Sequence, residues 1–379
     1  MQQALATAAG VAILVFTWMA VIFTIVMPRA QWGPGRLSTM VTRTVRLFFS
    51  SLARLTNDYE RKDAILAPIG PVAVVFQLLV WLALFGLAFV LMLEPYTHNV
   101  WRAMSQVGAA LFTLGEARSA GLTNDTIVTI AGATGLVVIG LQIAYLPSLY
   151  AAFNRREVLT TMLTSRAGEP AWGPEILIRH QLVGITDALP EFYGSWEQWS
   201  AEVSESHVSY PVLLLFRSPD PWGSWVISLL SVLDAAAMHL ALQPENAPSQ
   251  ARMCLRMGYV ALRRISSSLD WEFDNDPMPD DPLQLTEAEF TAAVALLEDV
   301  GFPIERDAAA AWPHFRGWRV NYEDLAYRWA NRIVAPVAPW SGPRPGIGGG
   351  PIAPVRPSHR TPDDPYVAYE RPEFPLPDA

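Results

Sequence analysis

The stretch Trp101-Arg102-Ala103-Met104-Ser105-Gln106-Val107-Gly108-Ala109-Ala110-Leu111-Phe112 runs into Thr113-Leu114-Gly115 and then Glu116-Ala117-Arg118. Its first part is mildly apolar, yet it falls short of the roughly 20 residues a helix needs to cross a hydrocarbon core. Longer charge-free runs flank it, from Ala64 to Leu93 before and from Thr126 to Asn154 after. A short segment between two spans must enter the membrane and return on the same side. Non-helical backbone at that depth is tolerated only where it lines a wet cavity or is buried in protein. The pattern therefore predicts a re-entrant loop over residues 98–118, between an outer helix at 64–94 and an inner helix at 126–154.

A third apolar run opens the chain. No charged side chain occurs from Met1 to Pro28, and Ala4 to Met27 is almost continuously apolar. A signal peptide would carry a basic start and a small-residue cleavage site. Met1-Gln2-Gln3-Ala4 has no basic residue and Val26-Met27-Pro28-Arg29 is a poor cleavage site, so residues 1–28 are expected to be an extra uncleaved transmembrane helix. Pro68 and Pro71 open the second run, at the turn of a helix where a missing N–H matters least.

The loops orient these spans. Arg29, Arg36, Arg43, Arg46, Arg54, Arg61 and Lys62 lie between the first two runs, but only Arg102 and Arg118 lie between the second and third. The positive-inside rule puts 29–63 in the cytoplasm and 95–125 outside. The N-terminus is then outside, and everything after Arg155 is cytoplasmic. Leu37, Met40, Val41, Leu47, Phe48, Leu52 and Leu55 recur at roughly helical spacing among Arg43, Arg46 and Arg54. This predicts a helix lying in the bilayer interface, with arginines at the headgroups. An ordinary amphipathic helix on the cytoplasmic domain is the alternative.

Composition agrees with a membrane protein. Charged residues make up 17% of the 379, against about 25% in soluble domains. The single cysteine, Cys254, rules out an internal disulfide and a multi-cysteine zinc site. The net charge of −9 argues against a nucleic-acid partner.

Span, short helix, Phe112-Thr113-Leu114-Gly115, span resembles the pore module of the potassium-channel superfamily. Ala144-Tyr145-Leu146-Pro147-Ser148-Leu149-Tyr150, then Phe153, Arg155, Arg156 and Glu157, extend the likeness, as do Trp196-Glu197-Gln198-Trp199 and Glu205-Ser206-His207-Val208-Ser209-Tyr210-Pro211. Over residues 70–240 the chain is similar to bacterial membrane proteins labelled two-pore-domain-type potassium channels. The resemblance implies that the carbonyls of Thr113, Leu114 and Gly115, with the Thr113 hydroxyl, replace a cation's water shell. Helix-end dipoles would favour a cation in the cavity beneath. One loop per chain is a quarter of a four-fold filter, so a homotetramer is implied. Gly132, Gly135 and Gly140 on the inner helix are candidates for a gate hinge, or else for close packing.

The chain departs from the family where Tyr-Gly-Asp is replaced by Glu116-Ala117-Arg118. Ala117 carries a Cβ where the filter backbone favours glycine. Glu116 would form a ring of carboxylates at the outer mouth, which lowers discrimination among cations. Weak potassium selectivity is the expectation.

Residues 155–335 hold 14 arginines and 25 acids and read as a helical cytoplasmic domain. Helices are expected at 173–189, 196–208, 222–242, 249–269, 286–300 and 322–335. Thr286-Glu287-Ala288-Glu289 is a capping-box pattern. Val212 to Phe216 reads as strand or buried helix. Asp234 and His239 make 222–242 a buried helix or an assembly surface rather than a fourth span. Acids at 270–281 read as a solvated linker, and His207 as a hydrogen-bonded structural residue. No phosphate-cradling glycine motif, nucleophile elbow or His-Glu-x-x-His occurs, so no enzyme, cofactor or metal centre is expected. Residues 336–379 contain 12 prolines and are expected to be a disordered tail.

The sequence thus describes an all-α bacterial inner-membrane protein with three spans, a pore loop, a cytoplasmic interfacial linker at 29–63, a pore module at 64–154 and a cytoplasmic domain. Its expected function is a homotetrameric monovalent-cation channel, weakly selective for potassium over sodium, through Thr113, Leu114, Gly115, Glu116 and Ala117. The alternative is a non-conducting scaffold or sensor whose acidic domain binds a partner.

Overall fold

The computed structural model describes residues 2–27, 36–112, 121–347 and 350–356. Among them every regular element is a helix. The chain divides into two compact units. One comprises Met1–Leu52 and Pro68–Ala151, the other Ala53–Ala67 and Ala152–Ala379. Four helical segments are long and apolar enough to cross a membrane: Gln3–Val26, Tyr59–Thr97, Leu122–Ala167 and Trp225–Leu242.

In the first unit, α1 (Gln2–Val21) ends in a π-helical turn, Ile22–Val26. It packs along α4 (Ile69–Thr97), whose 29 residues correspond to about 43 Å. The approach is close at Gly10, where an added Cβ would lie 2.7 Å from the Ala88 carbonyl oxygen. Small residues of this kind let membrane helices touch backbone to backbone. Pro71 sits in the first turn of α4, and His98, in a left-handed conformation, ends the helix. Phe85, Phe89 and Leu93 of α4 are fully buried, while Val75 and Leu79 are more than half exposed. Val15 of α1 and Leu136 and Ile143 of α6 (Leu122–Ala167) are likewise exposed. Large apolar side chains on the outside of an apolar helix bundle suit a lipid solvent.

In the second unit, α3 (Tyr59–Leu66) and the end of α6 join α7 (Gly173–Val183), α8 (Leu189–Ser209), α9 (Trp225–Leu242), α10 (Ser249–Ser267), α11 (Glu287–Asp299), α12 (Ala308–Arg319) and α13 (Glu323–Arg332). Helix α9 is the axle of this unit. Every one of its residues except Leu240 is buried, and α7, α10, α12 and α13 pack around it. Of its apolar length, 94% is covered within the chain. The capping box forms as predicted, with Thr286 and Glu289 bonding each other's backbone N–H. Val212 to Phe216 is neither strand nor α-helix; Pro211–Leu215 makes a 3₁₀ turn.

The structure departs from the sequence reading in three places. The inner helix runs to Ala167 rather than ending at 154, while the two units divide between Ala151 and Ala152, close to the expected boundary at 155. Helix α12 is absent from the expected set; it holds Pro313 in its interior, and Asp307 caps its start by accepting from the Ala310 N–H. Finally, residues 336–347 and 350–356 do not form a disordered tail. Trp340 is buried edge-on against Trp172 and packs on Phe315. A proline-rich segment lacks a core of its own, yet it can bury one large ring in a surface that other helices have already built.

Candidate functional site

The candidate site is the end of a short helix. Helix α5 (Val100–Leu111) starts at Asn99, whose side-chain oxygen accepts from the N–H groups of Trp101 and Arg102 at 2.9 and 3.2 Å. That cap satisfies two of the orphan donors at a helix start. Twelve residues give about 18 Å, well short of a 30 Å hydrocarbon core. Ala103, Val107 and Leu111 are buried in one cluster with Phe85, Phe89 and Leu93 of α4 and Ala131 and Val138 of α6. The short helix is thus wedged between two long ones by its apolar face.

Its C-terminal turn sits against glycines. A Cβ at Gly86 of α4 would be in ordinary contact with the Leu111 side chain at 3.7 Å. One at Gly132 of α6 would meet the Ala110 carbonyl oxygen at 3.4 Å, and one at Gly135 would overlap the Leu111 backbone. Gly140 has nothing within 4 Å of such an atom. Gly132 and Gly135 are therefore places of close helix approach, and α6 is continuous through all three glycines. The last carbonyls of α5 carry the negative end of its dipole, about half a charge.

Thr113, Leu114, Gly115, Glu116 and Ala117 lie outside the described residues, which resume at Gly121. What the structure describes is their frame: α5 on one side, and α6 on the other.

Two sets of buried contacts tie helices into the second unit. Arg156 of α6 is 1% exposed. Its guanidinium donates to Glu157, to the carbonyls of Leu213 and Phe216, and to Nε2 of His207 at 3.2 Å. The other ring nitrogen of His207, Nδ1, lies 2.9 Å from the Val203 carbonyl and must carry the proton. Burial and the neighbouring Arg156 hold the His207 pKa well below its ordinary value. The indole N–H of Trp199 donates to the Arg156 carbonyl at 2.9 Å. His207 is thus a neutral acceptor inside this knot. Helix α3 is held in turn by Asp63 with Arg217, by Tyr59 donating to the Pro221 carbonyl at 2.9 Å, and by Lys62 donating to the Gly346 carbonyl.

A third knot holds the C-terminal segment. Arg319, wholly buried, donates to Asp234 and Glu323, to the Tyr327 hydroxyl at 2.9 Å, and to the Trp340 carbonyl at 2.7 Å. Tyr327 in turn donates to the same carbonyl at 3.0 Å. Arg356 and Glu175 form a bidentate pair further on. Sequence reading missed these partners because they lie up to 181 positions apart. An isolated arginine gives no local signal of its partner.

Comparison with known proteins supplies no family: no family model, curated protein or solved structure matches the chain. The functional reading therefore rests on the residues and their geometry. Among the described residues no group of three or more His, Cys, Asp or Glu side chains is placed to hold a metal ion. The acids of 270–281 carry hydrogen bonds within their own loop, such as Asp274 accepting from the Asp276 N–H and Asp281 from the Met278 N–H.

Proposed function

We propose that this chain is the subunit of a homotetrameric, potassium-channel-like pore for monovalent cations in a bacterial inner membrane. The observation that carries the reading is α5. It is a capped, half-apolar helix too short to span, wedged between two helices long enough to do so, and it ends at Leu111, two residues before Thr113. A lipid-exposed short helix would leave its terminal carbonyls unpaired in hydrocarbon, so such a segment belongs beside a wet cavity. In a tetramer the four loops would meet with Thr113, Leu114 and Gly115 directed at the axis. Glu116 and Ala117, in place of the aromatic residue and second glycine, would widen the outer site and weaken discrimination between potassium and sodium.

On this reading α1, α4 and α6 are the three spans, the N-terminus is outside, and the second unit is cytoplasmic. Helix α6 is continuous to Ala167, and its residue Arg156 donates to the carbonyls of Leu213 and Phe216 within the second unit.

The test is flux of potassium and sodium into proteoliposomes of the purified chain, beside a Gly115→Asp variant. Flux of both ions that is lost in the variant is the expected result. Absence of flux in a folded, tetrameric preparation, or an unchanged Gly115→Asp flux, would remove the pore reading. A dimer or monomer in mild detergent would favour a scaffold instead.

A further inference from the structure

Helix α2 (Arg36–Ala53) has apolar side chains on two sides, only one of which the protein covers. Val41 and Val45 are buried, and Leu37 packs on the apolar cluster formed by α1, α4, α5 and α6. Met40, Leu47 and Phe48 point away, at 65%, 54% and 61% exposure. At 100° per residue these three fall on one stripe, with Thr44 and Ser51 between them. Arg43 stands at the edge of that stripe, and Arg46 beyond it one turn along.

The charge on this helix is one-sided. No Asp or Glu occurs anywhere from residue 1 to residue 57, in a chain whose net charge is −9. Arg43 is exposed and Arg46 half-buried, and neither side chain makes an ion pair or hydrogen bond among the described residues. Each lies close enough to the other to lower the Arg46 pKa, after the larger effect of burial. Two guanidiniums one helical turn apart repel, and the helix supplies no carboxylate to offset them. An anion from outside would.

We propose that α2 is a binding surface for anionic phospholipid, with Met40, Leu47 and Phe48 in the acyl region and Arg43 and Arg46 sharing the headgroup phosphates. The stripe and the cations fit this partner together. A soluble acidic peptide would leave the exposed rings of Phe48 and the Met40 side chain without an apolar partner, whereas a leaflet provides both layers at the right depth. The helix belongs to the same compact unit as α1 and α4 and so cannot leave the bilayer they occupy. Guanidinium suits the site, since its planar fork matches phosphate oxygens. The proposal depends on the membrane reading of the first unit and not on conduction.

The test uses the full-length chain in bilayers and spin-labelled lipids, whose motionally restricted fraction reports the lipids touching the protein. We expect phosphatidylglycerol to be selected over phosphatidylcholine. Each basic residue near a lipid surface contributes about fivefold, so Arg43→Gln with Arg46→Gln should lower the selectivity towards unity by up to about 25-fold. Arg43→Lys with Arg46→Lys should retain most of it, and 0.5 M salt should weaken it. Equal selectivity in the glutamine and native chains, or none in the native chain, would overturn the proposal. Should the double glutamine chain fail to fold, the single substitutions carry the same comparison. Efficient disulfide cross-linking between copies through Met40→Cys, in a Cys254→Ser background, would place a second chain on this face and also overturn it. Ion flux is not read, so a failed pore assay leaves this result intact.

Discussion

The Leu111 carbonyl oxygen fills the space into which a side chain at Gly135 would project. An ideal Cβ there would overlap that oxygen, and α5 and α6 touch backbone to backbone at this point. The contact sets where the short helix stops, two residues before Thr113.

Adding one methyl group at Gly135 should therefore push α5 away from α6. Gly135→Ala is expected to destabilise the first unit by about 1–3 kcal/mol, the usual range for overpacking. Gly140→Ala, with nothing in reach, should stay within about 0.5 kcal/mol. Thermal unfolding in detergent of the two variants, with Gly132→Ala as the intermediate case, measures the difference. Equal effects at 135 and 140 would contradict the close approach.

His207 makes stability depend on pH. It is neutral in the folded chain because burial and Arg156 hold its pKa well below the ordinary 6.5. Below pH 6.5 the unfolded chain takes up a proton that the folded chain refuses, so stability falls as pH falls, by up to about 1.4 kcal/mol per unit. Above that pH the histidine contributes no slope. Buried His180, also lowered, acts in the same direction. Denaturant titrations at pH 7.5, 6.0 and 5.0 should show this loss, and His207→Gln should reduce its slope. An unchanged slope would mean that the folded chain accommodates the imidazolium.

The Arg319 knot should respond asymmetrically. Asp234→Ala takes one of its two carboxylates from a wholly buried guanidinium, leaving it Glu323, and also removes the acceptor of Tyr322, which donates to Asp234 at 2.9 Å. Breaking one side of a buried pair costs about 3–5 kcal/mol. Replacing the whole ionic set by apolar residues of similar volume, as in Arg319→Met with Asp234→Leu and Glu323→Leu, should cost less than the single change. Equilibrium unfolding of the two variants decides it, and a milder loss in Asp234→Ala would show that water reaches Arg319.

Trp340 tests whether the C-terminal segment belongs to the fold. Trp340→Ala removes a buried ring that contacts Trp172 and Phe315 and should cost about 3–5 kcal/mol. Truncation after residue 335 should lower the melting temperature. Protease resistance through residue 356 in the native chain is the companion measurement.

How much was legible in the sequence follows from the range of each interaction. Long apolar runs announce membrane-length helices, because a span is specified residue by residue against hydrocarbon. Capping at Thr286 and Glu289 is legible for the same reason: donor and acceptor lie three residues apart. The re-entrant reading of 101–112 came from length alone, and the structure adds the wedge between α4 and α6.

What only the tertiary structure decided lies at long range. Nothing local in Gly135 distinguishes it from Gly140, since both are glycines in one apolar helix; the Leu111 backbone opposite makes the difference. Trp340 stands among prolines that promise disorder, and it is ordered because α7 and α12 have already built a surface with room for an indole and Arg319 meets its carbonyl. Arg156 and His207 are 51 positions apart, and their pairing exists only once α6 and α8 have packed. Composition and periodicity determine which segments become helices and which of them can meet lipid. Which side chains are then shut away from water together is a property of the packed chain, because burial is set by neighbours that the sequence separates.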